Sequence, residues 1–314
     1  MNKTKLKILA KNIYWDLFEH RKYDADKLFP KEVNSETAYL IFRDEYNGLF
    51  SYVEMSLRYI CYALQHNYYP VVDMTGCISP FIKKGEEDTN DWWALYFEQP
   101  LHKDVSIDSF SQVIKCDYND SVGFPYGREA VLLKKSRWFW GNMYETYFHL
   151  NDKSLLYIEN ERKKLFGSEK KKILGVKLRG TDYKIAVGHP IQPPVDRVIK
   201  EVQRVHNRYD KIFLATEEYA NVKRFKDIFG DKLIVDEDNA YFDVDDDSML
   251  SNTIFEKEDA EYQSGLEYLG SIMLLAECDG LIGGINGGTI ASAYINNGRY
   301  DYLKLIYLGI KGKK

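Results

Sequence analysis

The sequence predicts an α/β protein whose second half is a doubly wound parallel sheet. Three observations carry this expectation. Apolar strand segments alternate strictly with helical stripes from residue 173 to residue 307. A strand–loop–helix–strand unit stands in the first half. Loops rich in glycine or charge follow directly on strands, where such sheets bind ligands.

Taken in order, Glu36–Arg43 reads as a short buried strand and Tyr46-Asn47-Gly48 as a turn. Leu49, Phe50, Val53, Leu57, Ile60, Cys61 and Leu64 then mark one face of an amphipathic helix, and Tyr69–Met74 closes a βαβ unit. The pattern weakens from Thr75 to Asn119, where Trp92–Phe97 reads as a strand or a binding loop. Arg128–Asn151 reads as a helix, and the polar stretch after it sets the expected domain boundary, 1–155 and 156–314. Beyond it, strands are expected at Ile173–Leu178, Lys211–Ala215, Lys232–Val235, Gly280–Ile282 and Tyr302–Tyr307. Helices are expected on the Val195, Val198, Ile199, Val202, Val205 stripe and at Glu217–Phe229, Glu258–Cys278 and Thr289–Asn296. No repeat at a solenoid period interrupts this order.

Composition narrows the function classes. A net charge of -5 argues against a general nucleic-acid or anionic-membrane binder. The basic runs Lys134–Lys135 and Lys170–Lys172 read as solvated surface. Cys61, Cys77, Cys116 and Cys278 form no CxxC pair, which suits reduced thiols in a cytosolic protein better than a zinc site or disulfides. The N-terminus lacks the apolar stretch of a signal peptide, and no run reaches membrane-span length. The expected location is cytoplasmic, with at most peripheral contact at the inner face of the membrane. The 25 tyrosines and 16 phenylalanines are core fillers or stacking surfaces for sugars and bases.

Three strand ends carry candidate chemistry. Lys177-Leu178-Arg179-Gly180-Thr181-Asp182-Tyr183 follows a strand; the Arg179 fork matches a phosphate, or pairs with Asp182 at the surface. Gly283-Gly284-Ile285-Asn286-Gly287-Gly288-Thr289 lets backbone amides approach an anion at a helix N-terminus, but it matches neither a Walker loop nor a dinucleotide fingerprint. Ala215-Thr216-Glu217-Glu218 offers Thr216 as a helix N-cap and brings a carboxylate pair. Together they suit a diphosphate ligand with no metal.

The run GVKLRGTDYKIAVGHPI, then IFLATEE, then GLEYLGSIMLLAECDGLIGGINGGTIASAYI resembles the ordered motifs of fucosyltransferases, across roughly residues 171–310. The likeness is greatest to the α1,6-fucosyltransferases of N-glycan cores and Nod factors, in a group that includes the protein O-fucosyltransferases. FRDEYNGLFSYVEMSLRYICYAL echoes it in the first half. The resemblance implies a GT-B-like fold of two Rossmann-like domains facing across a cleft, and metal-independent inverting transfer from GDP-fucose. The C-terminal half would bind the donor, and the N-terminal half a glycan or a lipid-linked polysaccharide or lipopolysaccharide intermediate.

Arg179 matches the family arginine at the donor's β-phosphate. Ser271 stands where the α1,6 enzymes carry an aspartate, Asn286 and Gly287 where they carry serines, and Lys177 where they carry the first-motif histidine. Lys177, Arg179, Thr181, Glu217, Ser271, Asn286, Gly287, Gly288 and Thr289 are therefore the donor-side candidates. Asp182 and His189 join Arg179 as catalytic candidates, because an acceptor hydroxyl needs a positioned base, which Asp44 or Glu45 of the N-terminal half could also supply. Asp44, Glu45, Asn47 and Gly48 are acceptor-side candidates, with Trp92 and Trp93 expected to grip the acceptor alongside Tyr96, Trp138 and Trp140.

Two other readings compete. The acidic run Asp243, Asp245, Asp246, Asp247 could hold a divalent metal in a GT-A-type enzyme. A non-catalytic sugar-nucleotide or glycan-binding protein could keep the fold without the base. A nicotinamide oxidoreductase is disfavoured, since neither half opens on the glycine fingerprint.

Overall fold

A computed structural model describes residues 3–83, 85–102, 105–120, 122–180, 188–238, 241 and 259–312. The chain divides into two compact units. One is Met1–Leu155 with Glu261–Gly265, the other Leu156–Ala260 with Leu266–Lys314.

The first unit opens with helices α1 (Lys3–Tyr14) and α2 (Ala25–Leu28). Its sheet joins β1 (Thr37–Ile41) to β2 (Tyr69–Val72) and β3 (Gln112–Lys115) in the order β2-β1-β3, all parallel. Helix α3 (Leu49–Gln65) crosses from β1 to β2 and buries Leu49, Phe50, Val53, Leu57, Ile60 and Cys61, the face its periodicity marks. Its last expected member, Leu64, is only partly buried. β3 was not legible because its burial is slight: an edge strand with exposed Gln112, Val113 and Lys115 has no apolar alternation to read.

Trp92–Phe97 is neither a strand nor an exposed binding loop. It sits in a run of turns that drops Trp92, Trp93, Tyr96 and Phe97 into the core, and Trp140 of α4 (Lys134–Tyr147) is buried as well. The Tyr96 hydroxyl shares its one proton between Phe81 O and Tyr262 O, both at 3.1 Å. A Cβ on Gly265 would collide with the Tyr96 ring, which accounts for the glycine. Lys134 and Lys135 are not simply solvated, since they pair with Asp16 and Glu19.

The polar stretch after residue 151 is itself a helix, α5 (Asp152–Phe166), which begins in the first unit and continues in the second. The second unit's sheet holds β4 (Ile173–Lys177), β5 (Lys211–Ala215), β6 (Leu233–Ile234), β7 (Gly280–Gly284) and β8 (Tyr302–Ile306), all parallel, in the order β6-β5-β4-β7-β8. Val198, Ile199, Val202 and Val205 of α6 (Val195–Val205) pack on one face with Val222, Phe225 and Phe229 of α7 (Tyr219–Phe229). The other face meets α8 (Ala260–Glu277), whose Leu275 lies so close to Gly175 that a Cβ there would be 3.0 Å from it. Helices on both faces of a parallel sheet are the doubly wound arrangement, so the expected α/β class holds. The chain turns outward from β4 to β5 and back across to β7, which makes the gap between β4 and β7 the topological switch point.

Candidate functional site

Register delivers the site. Lys177 stands level with Ala215 on one side and Gly283 on the other. The segments after β4, β5 and β7 therefore leave the sheet along one carboxyl edge, next to the switch point. Side chains alternate along a strand, so Lys177 shares the face of Gly175 and looks toward α8. There its Nζ lies 5.9 Å from the centre of the Tyr268 ring.

Glu217 binds the first two loops together. Its Oε2 is 3.5 Å from Lys177 Nζ, its Oε1 is 3.5 Å from Arg179 Nε, and the Gly180 N–H donates to Oε1 at 2.7 Å. The Lys177 side chain is 4% exposed, that of Glu217 10%, and that of Arg179 19%. The order matters: the lysine is sealed in, while the guanidinium keeps a face to solvent. Burial pulls the Lys177 ammonium below the ordinary lysine pKa, and the Glu217 charge only partly restores it. Burial also pushes the Glu217 carboxyl up, but Lys177, Arg179 and the Gly180 amide together hold it below the usual carboxylate value. The unit is thus an ionised carboxylate clamped by two cations in a poorly solvated place.

Glu218, buried, takes a hydrogen bond from Asn221 Nδ2 at 3.0 Å, and its carboxylate fills the space where a Gly180 Cβ would go. Thr216 is not the cap of α7. Its hydroxyl accepts from the Glu218 N–H at 3.3 Å and from Asn221 Nδ2 at 3.2 Å, bracing the turn one step earlier.

The β7 loop is organised by Asn286. Its Oδ1 accepts from the Thr289 N–H at 3.0 Å and the Thr289 hydroxyl at 3.1 Å, capping α9 (Gly287–Ile295). Its Nδ2 donates to Gln192 Oε1 at 3.2 Å and Gly284 O at 3.3 Å. Buried Asn286 and Thr289 are therefore committed to the cap, and what they present to a ligand is the helix end. The helix starts at Gly287, two residues before the expected Thr289, because the cap sits at Asn286. Gly287 has open space where a Cβ would stand, whereas a Cβ on Gly288 would press on Ile272 and the Tyr268 hydroxyl. Ser271, one turn along α8, returns its hydroxyl to Tyr268 O at 2.8 Å.

His189 is exposed on a segment bridged to the C-terminal strand end, where its carbonyl accepts the Lys311 N–H at 2.9 Å. Gln192 ties that segment to the β7 loop through Ile285 O at 2.7 Å. Thr181, Asp182 and Asp243–Asp247 lie outside the described residues. Among the described residues, no group of three or more His, Cys, Asp or Glu could hold a metal ion.

Tyr268 and Gln192 belong to this edge and escaped the sequence reading, whereas Glu218 stands there as one of the expected carboxylate pair. Tyr268 stands three residues before Ser271, hence on the same helix face, which is a usable signal. Gln192 has no such signal, since its role depends on a loop 93 residues away.

The first unit's polar candidates lie in the turn after β1. Glu45 is held by Arg43 at 2.6 Å and by Asn47 Nδ2 at 3.2 Å, and Asp44 accepts the Ile78 N–H at 3.1 Å. Gly48 precedes α3 as its N-cap residue. Trp92 and Trp93 are 0% and 2% exposed, so neither ring has a face for a saccharide. Tyr96 and Trp140 are buried likewise, and these four rings pack the core.

No family model matches the chain, and no curated protein matches its sequence. Its fold is shared with Arabidopsis thaliana FUT1, solved as a mutant in complex with GDP, over 97% of this chain and 78% of that one, at 10% identity and a TM-score of 0.50. It also matches fucosyltransferase NodZ from Bradyrhizobium, over 85% and 92% of the two chains, at 14% identity and a TM-score of 0.47. A NodZ alpha-1,6-fucosyltransferase soaked with GDP-fucose aligns over 84% and 92%, at 12% identity and a TM-score of 0.49.

Proposed function

We propose that the chain is an inverting, metal-independent glycosyltransferase that takes a fucosyl group from GDP-fucose. The observation that carries this reading is the clamp of Lys177, Arg179 and Glu217 beside the α9 N-terminus, at the switch point of a parallel sheet. A diphosphate suits it: Arg179 supplies a fork of donors, and the helix end and the open space over Gly287 let backbone amides approach. Guanosine is supported by the fold shared with a GDP-bound chain. Fucose rests on the three ordered motifs.

In the reaction, an acceptor hydroxyl oxygen attacks the anomeric carbon while the bond to the diphosphate breaks, and GDP leaves with that electron pair. Arg179 and the α9 amides stabilise the leaving charge, and the buried Lys177–Glu217 pair keeps Arg179 oriented. The acceptor proton goes to Asp182 or His189. On this reading residues 156–314 hold the donor, and the Asp44–Gly48 turn belongs to the acceptor side, for a glycan or lipid-linked saccharide.

The test is calorimetric titration with GDP, UDP, ADP and CDP in EDTA. GDP alone should bind, and Arg179→Ala should weaken it on the order of a hundredfold, the worth of one or two charge-assisted hydrogen bonds. Selective binding of another nucleotide would change the donor. Binding that needs Mn²⁺ would move the site to Asp243–Asp247.

A further inference from the structure

The N-terminal helical segment presents a surface that the site does not use. Helix α1 runs on through turns at Trp15–Glu19 and His20–Lys22. One side of it is docked. Trp15 is buried, Asn12 bridges Leu132 O at 3.1 Å and the Lys134 N–H at 2.8 Å, and Asp16 and Glu19 pair with Lys134 and Lys135. Those two are the only acidic residues between positions 4 and 22, so the segment's negative charge is spent on the docked side.

The other side is apolar and cationic. Leu6, Leu9, Ile13 and Leu17 recur at steps of three and four, which makes one stripe, and they are 48–56% exposed. Tyr14 and Phe18 widen it at 51% and 59%. Lys5, Lys7, Lys11, Arg21 and Lys22 are exposed on the same segment. This concentration of positive charge belongs to a chain whose net charge is -5.

Six large apolar side chains on one contiguous outer face mark an interaction surface. The charge says which kind. An apolar stripe among lysines, with the acids withdrawn, complements an anionic bilayer: the apolar groups enter the acyl boundary while the ammonium heads stay at the phosphates. We propose that α1 lays the protein on an anionic lipid surface through Leu6, Leu9, Ile13, Tyr14, Leu17 and Phe18. Among the described residues no helix is long and apolar enough to cross a membrane, and this mode needs none. The inference is independent of the donor site.

The test is flotation of the full chain with vesicles of phosphatidylcholine alone and of equal phosphatidylcholine and phosphatidylglycerol. Binding to the mixed vesicles only is expected. Leu6→Ser/Leu9→Ser/Ile13→Ser should abolish it. Lys5→Gln/Lys7→Gln/Lys11→Gln should weaken it on the order of a hundredfold, at about fivefold per lysine near the surface. These residues are solvent-facing, so both variants should keep the parent's thermal unfolding and GDP titration, whatever that titration is. The proposal is overturned if the parent ignores both vesicles, if it binds them equally, or if the serine variant still floats. It is also overturned if sedimentation without lipid finds a dimer that the serine variant dissolves, since the occupant would then be a second copy.

Discussion

The two parallel sheets end differently at their carboxyl edges. After β1, the carboxylates stay at the surface: Glu45 pairs with Arg43 and Asn47, each two residues away, and Asp44 accepts the Ile78 N–H. After β4 and β5, a carboxylate reaches residues 38 and 40 positions away and is sealed from water. The same topology thus yields a solvated turn in one unit and a dry ion cluster in the other. The difference lies in the width of the sheet and its covering helices. β4 is central in five strands and lies under α8, so what leaves its end is buried; a short three-stranded sheet gives its turn no such cover. Electrostatic interactions strengthen as water is excluded, so only the second edge can place a strong fixed field at a ligand.

Breaking the dry cluster should have the largest effect. Glu217→Gln leaves the Lys177 ammonium buried without its carboxylate and should cost about 3–5 kcal/mol in urea unfolding. Lys177→Met/Glu217→Gln should recover most of that stability and still fail to bind GDP in calorimetry. A double variant that binds GDP normally would show that the cluster serves packing alone.

Glu54 on α3, a half-buried carboxyl of the first unit, sharpens the comparison. Burial pushes it up to about 7, against the pull of Arg58, Arg43 and Arg128. The folded chain then holds a proton that the unfolded chain releases near 4.5, so this group's contribution to stability should fall as pH rises from about 4.5 to about 7 and level off above. Glu54→Gln should remove that share of the decline and stabilise the protein by up to about 3 kcal/mol at pH 8, with no gain below pH 4.5, as read by thermal melts across pH; the share of Asp91, which burial pushes up to about 6, should remain.

The smallest effect belongs to the solvated turn. Glu45→Ala should change unfolding free energy by less than about 1 kcal/mol, since an exposed pair is screened. A larger loss would mean that the two edges are more alike than their burial indicates.

Much of the fold was legible because it is written in local periodicity. The valine stripe of α6, the buried face of α3 and the five strand segments of the second half each show a repeat of two or 3.6 residues, or an apolar run, within a dozen positions. The helix α5 was missed for the same reason: Asp152–Phe166 is rich in charge, and a polar helix resembles a linker when only its composition is read. Trp92 and Trp93 were misleading because an aromatic pair has the same composition in a core as in a binding surface, and only burial separates the two.

The sequence by itself determined the alternation, hence the parallel sheet and the loops that carry Arg179, Glu217 and Asn286 at strand ends. It could not determine that Glu217 would clamp Lys177 and Arg179, that Tyr268 would stand over Lys177, or that Gln192 would hold the Asn286 loop. Those pairings follow from register. Lys177 must lie level with Ala215, and α8 must cover the face that Lys177 shares with Gly175. Periodicity is a property of one segment, whereas register is a relation between segments distant in the chain, and the packed structure alone decides it.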